Sequence, residues 1–178
     1  MTGYVGSRST TGERASGSER SSGTGRSGCR ARHRLGAGLS GTQATLDAST
    51  LVELILHTPT GEAVAARVSD PDEGLHVPHL ADVEVVQALR RYVRHREIDA
   101  GAAAVALDDL RALDLQRHAH EPLLERVWEL RDNLTAYDAV YVALAEALNA
   151  VLLTCDARLA RAVQAEQRAE LVRAERDA

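Results

Sequence analysis

A three-layer α/β/α fold built on a central, mostly parallel sheet is what this sequence predicts, and three observations predict it. From Thr42 onward, short apolar runs alternate with longer stretches of helical spacing. One of the short runs, "AVLLT" (150–154), is apolar without interruption, as a strand covered by helices on both faces should be. Hydrophobic residues make up 44% of the 178 residues, enough for one domain with a sizeable core.

Each element can be justified in turn. "TQATLDAS" (42–49) reads as a first strand, although Gln43 and two threonines make it polar for a central position. "STLVELIL" opens a helix with Ser49 or Thr50 as its N-cap, and the "HTPTG" turn separates it from a second helical stretch, "EAVAARV". "LHVP" (75–78) gives a brief second strand stopped by Pro78. The next run, "HLADVEVVQALRRYVRHREI", spaces Leu80, Val83, Val86 and Leu89 as a helix would. "DAGAAAVALDDLRAL" is rich in alanine and reads as another helix. "LDLQRHAH" follows as a third strand, and "EPLLERVWELRDN" as a helix with Pro122 in its first turn. Thr135 then caps a helix that carries Asp138 in its first turn and ends near Asn149. The "AVLLT" strand comes next, then a helix from Ala157, and "AELV" (169–172) is open to either strand or helix.

The first forty-one residues follow different rules. They hold ten of the thirteen glycines and eight serines, too little apolar surface to offset chain entropy, so a disordered tail is expected over 1–41 and the folded domain over 42–178. Residues 1–40 carry seven Arg against two acids, while the remainder carries fourteen Arg against twenty-four acids, an asymmetry hidden in the overall net charge of −5. A basic tail can add salt-sensitive affinity for nucleic acid, and a mis-assigned start codon or an expression extension also accounts for it.

Several classes are excluded or disfavoured. All 21 basic residues are Arg, so the Gly-Lys-Ser/Thr sequence of a P-loop is impossible. The two cysteines, Cys29 and Cys155, suit neither a disulfide framework nor a zinc site. Neither the apolar stretch of a secretory signal nor a run approaching a membrane span is found, so a cytoplasmic protein that does not enter a membrane is expected.

The acids carry the chemistry. Asp47 ends the first strand and Asp156 lies just past the "VLLT" strand, and ligand sites in parallel sheets form beyond the carboxyl ends of the strands. Asp138, in the first turn of its helix, is brought towards Asp156 by the tight turn at Asn149. Glu84, by its spacing, can face either solvent or the same cleft. If the four meet, their mutual repulsion is relieved by protonation or by a cation, and oxygen ligands favour Mg²⁺ or Mn²⁺ over zinc. The matching chemistry is metal-assisted attack of water on a phosphodiester.

"LDASTLVELIL", "HVPHLADVEVVQALRR", "RDNLTAYDAVYVALAEAL" and "LLTCDARLARA" together resemble the successive motifs of PIN-domain ribonucleases, specifically the VapC-type toxins of bacterial toxin–antitoxin pairs, over roughly residues 44–164. That resemblance implies a PIN-like fold and a metal-dependent endoribonuclease in which Asp47, Glu84, Asp138 and Asp156 are the catalytic, metal-binding acids. Thr154 matches a hydroxyl residue beside the site, and Ser49 matches a small polar residue that can equally be a helix cap. Expected partners are an RNA substrate, a cognate antitoxin and a second copy of the chain. Phosphate contacts would come from Arg90, Arg91 and Arg94 just beyond Glu84, where a solvated helix face is the plainer alternative. Other readings stay open: a PIN-like module without catalysis that binds RNA or protein, a nuclease directed at DNA, and a phosphatase.

The remaining features are read blandly. The "HAH" and "HVPH" histidines lack a third ligand at metal spacing. Leu124 and Trp128, with Val127 and Leu130, form a core or oligomer face, and Tyr137 and Tyr141 pack near the site entrance.

Overall fold

A computed structural model describes residues 42–163 and 169–174, so the expected tail over 1–41 lies outside the described residues. The element order is β1 (Gln43–Leu46), α1 (Ala48–Ile55), α2 (Pro59–Arg67), β2 (Gly74–Pro78), α3 (Leu80–His95), α4 (Ala100–Ala112), β3 (Gln116–His118), α5 (Leu124–Glu129), α6 (Ala136–Leu148), β4 (Val151–Thr154), α7 (Ala157–Val163) and β5 (Ala169–Leu171). Single 3₁₀ turns flank α5. The segment at 169–172 is thus a strand, and it pairs with β4.

The sheet runs β3-β2-β1-β4-β5 and every pairing is parallel. Chain order climbs outward from β1 to β3 on one side and from β4 to β5 on the other, so the direction of winding reverses between β1 and β4. Right-handed crossovers then place α1 to α4 on one face and α5 to α7 on the other. The crevice outside the carboxyl ends of β1 and β4 is the place where such sheets bind ligands.

Burial explains why the elements hold. Leu46, Leu152 and Leu153 fill the centre of the sheet, with Leu51 and Val85 from one helical layer and Leu144 from the other. Helix α6 is buried around most of its circumference, and Arg126 ties α5 to it through a bidentate pair with Glu146 at 2.6 and 2.8 Å. Gly61 lets α2 approach α1 closely, because a Cβ there would lie 2.0 Å from the Glu53 carbonyl oxygen. Arg67 bonds both Glu73 and Glu170, clamping the edge strand β5 to the turn before β2. Among the described residues no helix is long and apolar enough to cross a membrane.

Two local expectations are corrected. The cap of α1 is Asp47, whose side chain accepts from the Thr50 amide, and Ser49 and Thr50 are already inside the helix. On α3 the buried residues are Ala81, Val85 and Leu89, whereas Val83 and Val86 are exposed. The apolar residues at 83 and 86 mimicked a stripe that belongs one or two positions away. Trp128 and Leu124 are likewise exposed, while Val127 and Leu130 pack against the core.

The polar first strand has a structural reason at its edge with β2. His76 is fully buried, its Nε2 sits 2.5 Å from the Gln43 side-chain oxygen, and its Nδ1 sits 3.0 Å from His118 Nε2. The amide oxygen can only accept, so His76 donates from Nε2 and its bare Nδ1 accepts from His118. This chain of bonds stitches β1, β2 and β3 together around a buried imidazole, which is favoured in its neutral form because its charge would be desolvated. Burial, helped by the neighbouring His118, lowers its pKa from 6.5 to about 4. A native pKa below the unfolded one means the stabilisation is complete above pH 6.5 and is lost as pH falls towards 4. Denaturant titrations at pH 7 and pH 4 should show ~3 kcal/mol of acid-dependent loss from this group, at about 1.4 kcal/mol per unit. The same titrations on His76→Gln should show that part of the loss removed.

Candidate active site

The cleft assembles where the topology predicts. Asp47 directly follows β1, and its backbone amide donates to the Leu153 carbonyl at 3.1 Å, which locks it to β4. The chain turns at once into α1, so the carboxylate is both an N-cap and a wall of the crevice. Its Oδ1 accepts from the Ser49 hydroxyl (2.7 Å), the Thr50 amide (2.8 Å) and the Thr50 hydroxyl (2.9 Å). Its Oδ2 accepts from Ser49 (2.9 Å) and from Thr154 Oγ1 (2.6 Å). Asp47 is only 5% exposed, and burial raises its pKa against the pull of these donors.

Thr154 ends β4 and links two acids. Its hydroxyl donates to Asp47 and accepts from the Asp156 amide at 2.9 Å, so the strand end sets both carboxylates in one frame. Ser49 also accepts from the Cys155 amide at 3.0 Å, tying the start of α1 to the turn after β4. The Cys155 thiol is pushed up to about 11, chiefly by burial, which makes it a poor nucleophile.

Glu84 turns into the cleft. Tyr141, buried on α6, donates its hydroxyl to Glu84 Oε2 at 2.5 Å. Burial raises the Glu84 pKa, the tyrosine bond opposes this, and the charges of Asp138 and Asp47 raise it further. Burial and the Glu84 carboxylate hold the Tyr141 phenol above its ordinary value, so it serves as a fixed donor. Tyr137, four residues earlier, is exposed.

Asp138 lies one turn into α6, where Thr135 caps the helix and donates to Asp138 Oδ2 at 2.9 Å. The same oxygen accepts from Arg158 Nη2 at 3.0 Å. Asp156 caps the start of α7 through its Oδ1, which accepts from the Arg158 amide at 2.6 Å.

All four acids line one cavity of about 370 Å³, together with Ser49, Arg91 and Tyr141. Glu84, ambiguous by spacing, is inside it. Of the three arginines expected near Glu84, Arg91 lines the cavity, whereas Arg90 bonds Gln87 at the helix surface and Arg94 is exposed. Two residues that matter here were not singled out as site residues by the sequence reading: Tyr141 as the partner of Glu84, and Arg158. Tyr141 sits at helical spacing from Asp138, three residues on, which was the available signal, whereas Arg158 meets Asp138 across twenty residues of sequence and no local spacing announces it.

The facing groups are carboxylates, and charged acids are here held in a partly desolvated cleft, which a hard divalent ion relieves. Among the described residues no three His, Cys, Asp or Glu side chains converge closely enough to cage an ion between them. A hydrated divalent ion held by one or two carboxylates needs no such cage.

Fold and cleft together define a class: a parallel α/β domain with an acid-lined crevice at its winding reversal. A model of the PIN domain matches residues 44–164. Ribonuclease VapC9 of Mycobacterium tuberculosis is 42% identical over 121 residues, which span 68% of this chain and 91% of that protein. The chain belongs to the PIN-domain family. The crystal structure of PAE2754 from Pyrobaculum aerophilum shares the fold at a TM-score of 0.56 and 26% identity, over 72% of this chain and 87% of that one. That of VapBC2 from Rickettsia felis, bound to a DNA fragment from its promoter, matches at 0.54 and 14%, over 74% and 100%, a likeness of fold alone.

Proposed function

We infer that this chain is a divalent-metal-dependent endoribonuclease, the toxin half of a toxin–antitoxin pair acting in the cytoplasm. The observation that carries the reading is the meeting of Asp47, Glu84, Asp138 and Asp156 around one cavity at the winding reversal of the sheet. It is supported by 42% identity to a curated ribonuclease of the VapC kind.

In this reading Asp47, Glu84, Asp138 and Asp156 would offer the carboxylates from which one or two at a time hold Mg²⁺ or Mn²⁺ in the cleft, and the ion would supply Lewis-acid activation of water and neutralisation of the leaving oxygen. The chain's own residues do the positioning. Thr154 and Ser49 fix the Asp47 carboxylate, and Tyr141 fixes Glu84. Arg91, at the cavity wall, contacts RNA phosphate, with Arg90 and Arg94 further out along α3 for the flanking backbone. The cognate antitoxin covers the acidic crevice with complementary positive charge, and a second copy of the chain completes the assembly.

The test is cleavage of single-stranded RNA by purified protein with Mg²⁺ or Mn²⁺, beside EDTA, beside DNA of the same sequence, and beside Asp138→Asn. Cleavage of RNA that is lost in EDTA and in the variant is the expected result. DNA cut in preference to RNA would make it a DNA-directed nuclease. A wild type that neither cuts nucleic acid nor binds metal would make it a binding module without catalysis.

A further inference from the structure

Arg158 is the one cation seated directly on the acids of the cleft among the described residues. Its Nη2 lies 3.0 Å from Asp138 Oδ2 and its Nε lies 3.9 Å from Asp156 Oδ2. The guanidinium therefore bridges the helix that starts α6 and the helix that starts α7. Its side chain is 67% exposed, while Asp138 is 22% exposed and Asp156 is 40% exposed. Only the backbone of Arg158 contributes to the start of α7, through its amide bond to Asp156 Oδ1. The side chain is free of any duty in the core. An exposed pair of this kind is weakly held and screened by solvent, so the guanidinium can leave its carboxylates when something better takes them.

We propose that Arg158 is the counter-ion of the cleft and, once displaced, its substrate arm. In the ion-free protein it neutralises Asp138 and Asp156. When those carboxylates take a divalent cation, two positive groups cannot share them, and the long side chain swings into the crevice to bind RNA phosphate. Arginine suits both duties, since its planar fork matches carboxylate and phosphate alike. Arg91 lines the cavity from α3 and Arg158 sits on two of the acids that line it, so a phosphate entering the cleft has a guanidinium available from each of these elements. The substrate half of this proposal rests on the ribonuclease reading, whereas the counter-ion half does not.

The two halves predict effects of opposite sign from one substitution. In Arg158→Ala, Mn²⁺ binding followed by calorimetry without RNA should tighten several-fold, because the ion no longer competes with a resident charge. RNA cleavage at saturating Mn²⁺ should fall on the order of 10²-fold, the usual loss when one donor to transition-state charge is removed. The salt dependence of RNA affinity should lose about 0.7 of a unit in its log–log slope, one phosphate contact on a single strand. Arg158→Lys, which keeps the charge without the fork, should leave Mn²⁺ affinity near wild type and recover cleavage only in part. Unchanged or weaker Mn²⁺ binding in Arg158→Ala overturns the counter-ion role, and undiminished cleavage overturns the substrate role. A wild type that cleaves no RNA overturns the ribonuclease reading and the substrate role with it, while the Mn²⁺ titration still decides the counter-ion role.

Discussion

Asp47→Asn is expected to abolish RNA cleavage and, in the same protein, to raise its melting temperature. The carboxylate is buried at the head of α1 and accepts from Ser49, Thr50 and Thr154. Burial nevertheless raises its pKa above the ordinary 3.8. A native carboxylate pKa above the unfolded value means that folding favours the protonated form. Stability from this group is therefore greatest below pH 3.8 and declines as pH rises through the native pKa. An isosteric amide removes that charge. The Ser49 and Thr154 hydroxyls can rotate to accept from the new NH₂, so the cap survives. The expected gain is roughly 0.5–2 kcal/mol, a few degrees in melting temperature. Activity moves the other way. Metal-derived stabilisation of several kcal/mol is at stake, and ~4 kcal/mol corresponds to about 10³ in rate. Added Mg²⁺ or Mn²⁺ should raise the melting temperature of the wild type and leave Asp47→Asn nearly unmoved. A variant that melts lower than wild type without metal would refute the account of Asp47 as a charge held against its desolvation cost.

How much of this was legible in the chain depends on what kind of fact each residue encodes. Asp47 and Asp156 could be placed because strand ends and the carboxyl edge of a parallel sheet are local patterns joined by a general rule. Their adjacency could not be read from spacing, since it depends on β1 pairing with β4, more than a hundred residues later. Glu84 is the sharper case. The residues at 83 and 86 imitate the helical stripe, and the real one runs through Ala81, Val85 and Leu89. Only the family pattern pointed Glu84 inward, and Tyr141 is what holds it there. Ser49 and Thr50 read as caps of α1 because hydroxyl residues cap helices, yet Asp47 just before them caps the helix itself. Gln43 looked wrong for a central strand because its partner, His76, lies on the neighbouring strand. Arg158 carries no signal in the sequence, because its contact with Asp138 exists only after α6 and α7 are folded together.

Thr154→Val should carry the second large effect, and it separates positioning from charge. Valine keeps the shape and the strand preference of threonine but deletes the hydroxyl. Asp47 Oδ2 then loses its shortest donor, at 2.6 Å, and the Asp156 amide loses the acceptor that holds the turn after β4. Loss of a group that orients a metal-binding carboxylate typically costs 10–100-fold in metal affinity or activity. The stranded buried partners should cost a further 1–3 kcal/mol of stability. Both effects are losses, in contrast to Asp47→Asn, because here the charge stays while its support is removed. Thr154→Ser restores an oxygen at the same position and should recover most of the metal affinity. The diagnostic readout is the Mn²⁺ dissociation constant measured on folded protein well below the melting temperature. If Thr154→Val loses stability yet binds Mn²⁺ as tightly as wild type, the hydroxyl is a strut of the strand end and does not tune the site. If affinity falls and serine restores it, the link from β4 through Thr154 to Asp47 is part of the apparatus that readies the cleft for its ion.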